Sequence, residues 1–181
     1  QILAYSAQNP KATSWGWQVN GVDDWNGGGL TFNDDYGFGL VDAHAAVRLA
    51  ETWDSQSTFA NLQTAELTST PGLAIPDSGF TSDTIAFSGA GIEIDQVEVD
   101  IDITHTWIGD LTIGLTSPSG TSSTLVKRID LSPFDLWGSG DDGIHFTFSS
   151  TQFWSEPSDG VWTLNVIDGA AYDTGILEQW T

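Results

Sequence analysis

From Thr64 to Thr181 no stretch of the sequence keeps a helical period, and this absence constrains the fold more than any other feature. Short segments suited to β-strands recur instead, at 64–68, 84–88, 92–104, 111–117, 123–128, 144–149, 161–167 and 175–181. Turn formers separate them at Pro71-Gly72, Pro76-Asp77, Ser117-Pro118-Ser119-Gly120, Gly138 to Gly143 and Ser158 to Gly160. Proline presets φ and glycine admits φ > 0, so these clusters punctuate strands rather than continue them. Short strands at regular spacing predict a mainly β chain, either a two-sheet sandwich or a jelly roll.

Alternation within the segments assigns their faces. Leu111, Ile113 and Leu115 point one way, as do Trp162, Leu164 and Val166, and both sets are expected to face the core. In IEIDQVEVDIDIT the apolar residues fall at 92 and 94, then at 97, 99, 101 and 103. A strand cannot change faces without an extra residue, so a bulge or break is expected near Asp95-Gln96. Beyond it Glu98, Asp100 and Asp102 share the outward face, roughly 7 Å apart in succession, too far for one strand to cage an ion. In HTWIGDL, Gly109 permits a tight turn, Asp110 can accept backbone N–H bonds, and His105 and Trp107 share a face. Pro118 and Gly120 fit a hairpin turn.

The first 63 residues have a different character. QILAYSAQNP reads as the end of an amphipathic helix stopped by Asn9-Pro10, and residues 13–37 as a long, structured surface segment. A second helix is expected after Val41, with Asp42 as its N-cap and Ala43, Ala46, Val47 and Ala50 on one face. The polar run after Trp53 reads as a linker.

Charge narrows the function. Twenty-five carboxylates face only Lys11, Arg48, Lys127 and Arg128, for a formal charge of −21, so nucleic acid and anionic membranes are expected to be poor partners. Without cysteine there is no disulfide or thiol chemistry, and no eighteen-residue apolar run suggests a membrane span. Asp outnumbers Glu by 19 to 6, which suits turns and oxygen-ligand sites for Ca²⁺ as well as plain solvation in salt. Asp141 and Asp142, in the Gly-rich loop GSGDDG, are candidate calcium ligands together with Asp110; Asp23-Asp24 and Asp34-Asp35 are similar pairs. None has the spacing of a helix-loop-helix calcium site.

Several stretches carry a family resemblance. NDDYGFGLVDAHAAVRLAETW at 33–53 resembles the closing segment of subtilisin/kexin-type catalytic domains, and QILAYSA resembles the helix that follows their catalytic serine. AIPDSG at 74–79, VDIDITHTWIGDLTIGLTSPSGT at 99–121 and FWSEPSDGVWTLNVID at 153–168 resemble the ordered landmarks of the P domain of proprotein convertases. Among them His105, Trp107, Gly109, Asp110, Pro118, Gly120, Trp154 and Trp162 are read as structural. The resemblance implies an end of a catalytic domain at 1–54, a linker at 55–63, and at 64–181 a P-domain jelly-roll β-sandwich cut slightly short. The first part would be a short helical remnant of an α/β fold. It further implies a secreted, calcium-dependent serine endopeptidase acting on proteins or peptides, whose P domain folds and stabilises the catalytic domain in cis.

The Asp, His and Ser of that family precede its final helix, so the triad is expected upstream of Gln1 and none of its members within this chain. Gly120-Thr121-Ser122-Ser123-Thr124 imitates the serine motif only in part, and Ser122 is read as a turn residue. His44 reads as a helix-surface residue, His105 as a structural hydrogen-bonder and His145 as outward-facing. The alternative is a carbohydrate- or protein-binding β-sandwich module of a secreted protein. Trp15, Trp17, Trp25, Trp107 and Trp137 would then serve as platforms, unless these rings contact the catalytic domain.

Overall fold

A computed structural model describes residues 1–10, 16–22, 29–54 and 57–181. Ten strands are present among them. β1 (Gln18–Val19) and β2 (Thr31–Phe32) form a small antiparallel pair. The other eight are β3 (Leu73–Ile75), β4 (Phe80–Phe87), β5 (Val97–His105), β6 (Leu111–Thr116), β7 (Ser122–Lys127), β8 (Gly143–Ser150), β9 (Gly160–Asp168) and β10 (Gly175–Trp180). They make two four-stranded sheets of order β3-β10-β5-β8 and β4-β9-β6-β7. The chain changes sheet at every connection except the β6–β7 hairpin, so the two layers are closed on each other as a β-sandwich.

The core follows the alternation read from the sequence. Val99, Ile101 and Ile103 of β5, Leu111, Ile113 and Leu115 of β6, Leu164 and Val166 of β9 and Leu177 of β10 are all buried between the sheets. Phe153 meets Trp162 edge-on with ring centroids 5.1 Å apart. The expected break stands where parity required it: Ile94 is buried beside the isolated Glu93–Pro157 bridge, Asp95 and Gln96 are unpaired, and β5 opens at Val97.

Two strand assignments differ. Residues 64–68 form no strand. Only Ser69 beyond them pairs with β10, through reciprocal bonds to Trp180 of 2.9 and 3.0 Å, before Pro71, which has no N–H, and Gly72, with φ +55°, interrupt the edge. The first sandwich strand is β3. β4 begins at Phe80 rather than at residue 84, because eight consecutive partners on β9 hold the polar Thr81, Ser82 and Asp83 in the ladder.

Antiparallel winding sorts the connections. The segments 76–79, 106–110, 128–142 and 169–174 lie at one end of the sandwich, and 88–96, 117–121 and 151–159 at the other. Helix α1 (Ile2–Tyr5), the β1–β2 pair and helix α2 (Ala43–Ala50) precede the sandwich. Asp42 caps α2 as expected, accepting from the Ala45 N–H at 2.9 Å, but only Ala46 of the predicted apolar face is buried. Val47 and the preceding Leu40 and Val41 are exposed.

Candidate functional site

Glu156 is the most deeply buried carboxylate among the described residues, with no accessible surface. A charge in that position requires full hydrogen bonding. Oε2 accepts from Ser117 Oγ at 2.6 Å, while Oε1 accepts from Thr121 Oγ1 and from the Gly21 N–H at 2.8 Å. Ser117 and Thr121 flank the β6–β7 turn, where Gly120 takes φ +90° and its N–H bonds Ser117 O at 3.0 Å. Gly21 comes from the segment that precedes the sandwich. A Cβ there would lie 2.2 Å from Ser119 Cβ, so only glycine permits the approach.

Asn20, also buried, extends the joint. Its amide nitrogen donates to Gln152 O at 3.2 Å and Trp154 O at 2.9 Å, and its Oδ1 accepts from the Leu30 N–H at 2.7 Å. Trp154 packs against Tyr5 of α1 and Phe38, with ring centroids 5.9 and 5.6 Å apart. Tyr5 Oη also meets Ser155 Oγ, and Gln152 Nε2 donates to Asp34 Oδ1 at 2.8 Å. An open cleft of about 430 Å³ lies along this junction, between Phe32, Asp34 and Phe38 on one side and Thr124, Leu125 and Lys127 on the other. The N-terminal segment is thus bolted to one end of the sandwich by a buried carboxylate, a buried amide and an aromatic stack. Trp154 was a sequence landmark. Glu156, Ser117, Thr121 and Asn20 were missed as a unit because they are far apart in sequence.

The landmarks near residue 110 assemble at the opposite end. His105 and Asp168 are both buried, with Nε2 and Oδ2 3.6 Å apart, and His105 Nδ1 meets the Trp107 backbone. β5 ends at His105, so Trp107 lies beyond the strand and does not share its face. Its ring rests on Gly140 instead, where a Cβ would come within 2.8 Å. Gly109 sits in a 3₁₀ turn, Ile108–Asp110, and is needed for close packing: a Cβ would meet Trp137 O at 2.6 Å. The Asp110 carboxylate accepts from the Arg128 guanidinium at 3.1 Å, not from the backbone N–H groups expected of it. Burial pushes its pKa up, against the pull of Arg128.

The calcium candidates do not converge. Asp110 is buried and bound to Arg128, whereas Asp141 and Asp142 are exposed, Asp141 accepting from Ser139 Oγ at 3.1 Å. Ca²⁺ takes 6–8 oxygens, and among the described residues no three His, Cys, Asp or Glu side chains group to hold a metal. Asp34 is bound to Gln152; Asp23-Asp24, Trp15 and Trp25 lie outside the described residues.

Nor do the histidines assemble with a nucleophile. His44 lies on α2, exposed; His145 is exposed, 3.7 Å from Asp102; among the described residues neither they nor His105 receive a serine hydroxyl. Ser122 is not in the turn but opens β7, its hydroxyl 2.9 Å from Thr116 Oγ1. Trp17 stacks on Tyr36 at 6.3 Å, leaving Trp137 as the most exposed of the named indoles among the described residues.

A family model, the proprotein convertase P-domain, matches residues 94–181. The chain is 34% identical to proprotein convertase subtilisin/kexin type 4 of Rattus norvegicus over 91% of its own length and 24% of that protein. To neuroendocrine convertase 2 of Homo sapiens it is 32% identical, over 88% of its length and 26% of that protein. It therefore spans about a quarter of these curated relatives. Two crystal structures of the serine protease of Aeromonas sobria, one in complex with a chaperone, share the fold over 99% of this chain and 38% of theirs. Their TM-scores are 0.66 and 0.69 at 23% and 22% identity. With its sandwich, its landmarks and these matches in agreement, the chain is identified as a P-domain-bearing C-terminal region of the subtilisin/kexin-type proprotein convertase family.

Proposed function

We propose that this chain serves a secreted, calcium-dependent subtilisin/kexin-like serine endopeptidase, in which residues 64–181 hold the catalytic domain in its folded state. The carrying observation is the junction at Glu156. A sandwich that only accompanied its neighbour would not bury a carboxylate to bind the Gly21 N–H, nor an amide at Asn20 to reach the 151–159 loop. In this reading residues 1–54 close the catalytic domain, 55–63 link it, and the Asp, His and Ser that cut protein or peptide substrates are supplied upstream. The exposed Leu40, Val41 and Val47 support it, as apolar surface that further catalytic-domain structure would cover.

Calcium belongs to this proposal as an ion of the whole protease, since the described residues do not assemble a shell for it. Scanning calorimetry of the 181-residue chain with Ca²⁺ and with chelator tests whether any of those ions is held here: a melting temperature raised by Ca²⁺ would place a site in this chain, and an unchanged one would leave the ion to the rest of the protease. For the role itself, the full-length protease is compared with a form ending between Asp54 and Thr64. Low soluble yield and lost peptide hydrolysis are expected. Normal yield and activity of the shortened form would overturn the assignment.

A further inference from the structure

The loop 128–142, at the end of the sandwich opposite the N-terminal segment, packs Ile129 against the core and holds the rest of its backbone through hydrogen bonds rather than through its other apolar side chains. Ser132 and Asp135 form a bridge, with Ser132 N to Asp135 O at 2.8 Å, and Asp135 Oδ1 accepts from the Trp137 and Gly138 N–H groups at 3.0 and 3.2 Å. Neighbours clamp it from below: Trp107 Nε1 donates to Trp137 O at 2.8 Å and Gly109 N to Ser139 O at 2.8 Å. Yet Phe134 is fully exposed, and Trp137, Leu136 and Leu131 are 76%, 70% and 41% exposed. Four large apolar side chains exposed within residues 131–137 of one loop are a concentration of exposure, unlike the scattered single residues that need no explanation. Since hydrogen bonds fix the backbone, this surface is preorganised, and little ordering entropy opposes its use.

The charges around it select the partner. Asp130, Asp135, Asp141 and Asp142 stand on the same loop, while its one cation, Arg128, is tied to Asp110. An apolar centre with an acidic rim complements a protein segment carrying aliphatic residues beside Lys or Arg, whose cations can also rest on the Trp137 and Phe134 rings. A second copy of this chain, at −21, is repelled.

We propose that the 128–142 loop is a docking surface for a cationic, aliphatic protein segment, at the end of the sandwich opposite the N-terminal segment. The probe is a short amphipathic Lys/Leu peptide, with Glu/Leu and Ser/Leu peptides of equal length as controls, titrated into the full chain by calorimetry. Binding of the Lys/Leu peptide alone is expected, weakening as salt rises from about 0.02 to about 0.15 M. The double variant Phe134→Ser with Trp137→Ser is expected to weaken it by about tenfold or more. Removing charge from β5 with Glu98→Gln, Asp100→Asn and Asp102→Asn should leave it within about twofold. Leu136→Ser gives an independent reading should the double variant melt early. Unchanged binding by the Phe134/Trp137 and Leu136 variants would reduce the effect to bulk charge and overturn the proposal. Equal binding of the Ser/Leu peptide would overturn it too, as would retention on a neutral polysaccharide gel that depends on these rings while the Lys/Leu peptide fails to bind.

Discussion

Replacing Glu156 by alanine takes one shared acceptor away from three donors that converge on it. Ser117 Oγ, Thr121 Oγ1 and the Gly21 N–H all converge on its two oxygens. Hydrogen bonds to a charged group contribute about 1.5–3 kcal/mol each, and a stranded buried donor costs about 1–3 kcal/mol. The three losses are not additive, because the two hydroxyls can rotate: Ser117 Oγ already accepts from the Thr121 N–H at 3.2 Å. The Gly21 N–H cannot rotate, but it already shares its proton with Thr121 Oγ1 at 2.8 Å and keeps that acceptor. What remains is the loss of the charge-assisted bonds at a buried site, so a net loss of about 3 kcal/mol is expected for Glu156→Ala, or a melting temperature lower by about 6–12 °C for a chain of this size. Glu156→Gln behaves differently. Its carbonyl can keep Gly21 and Thr121, its amide can donate to a reversed Ser117 hydroxyl, and only the charge assistance goes, about 1–2 kcal/mol. The assay is differential scanning calorimetry of the two variants beside limited proteolysis of the segment before Asp54. Alanine should expose that segment to cleavage at temperatures where the sandwich stays intact, and glutamine should not. If alanine moved the melting temperature by less than about 2 °C, or destabilised both parts alike, the junction would not be held through Glu156.

Other consequences are smaller but as specific. Asp83 loses some stability of its carboxylate to burial, but hydrogen bonds from Ser69, from Trp180 Nε1 at 2.8 Å and from the Thr84 N–H outweigh this and hold its pKa below the ordinary aspartate value. Its contribution to stability is therefore present above the unfolded aspartate pKa and lost as pH falls through the lowered folded value. Denaturant titrations should show Asp83→Asn less stable than wild type at neutral pH, with the gap closing as pH falls below the ordinary aspartate range; a gap independent of pH would refute this. Gly109→Ala drives a methyl into Trp137 O and Ser139 N, 2.6 and 2.7 Å from its position, and should cost about 2 kcal/mol. The same variant should detach the 128–142 loop, measured as faster amide exchange at Gly138 and Ser139; unchanged exchange would show that the loop does not rely on Gly109.

How much of this was legible beforehand follows from the range of each interaction. The strands β5 to β10 and their inward faces were readable because alternation is local and the sheet merely obeys it: Leu111, Ile113 and Leu115, like Trp162, Leu164 and Val166, are buried as their spacing required. The break at Asp95-Gln96 was readable for the same reason. β3 was missed and 64–68 wrongly taken as a strand, since an edge strand is decided by its partner β10 and by Pro71, not by its own three residues. The roles of Trp107 and Asp110 differ in detail from the sequence reading, for each depends on a contact well further along the chain, Trp107 on Gly140 and Asp110 on Arg128, while Gly109 sits in the expected turn and is held close to Trp137 as well.

By itself, then, the sequence determined a β-sandwich with its core faces, a capped helix at Asp42, and a net charge of −21, because each of these rests on local periodicity or on summed charge. Only the tertiary structure decided that Glu156 and Asn20 fasten the N-terminal segment to one end of the sandwich, while Phe134 and Trp137 stand in solvent at the other. Both outcomes depend on which loops antiparallel winding gathers at each end, and no spacing within a single segment encodes that.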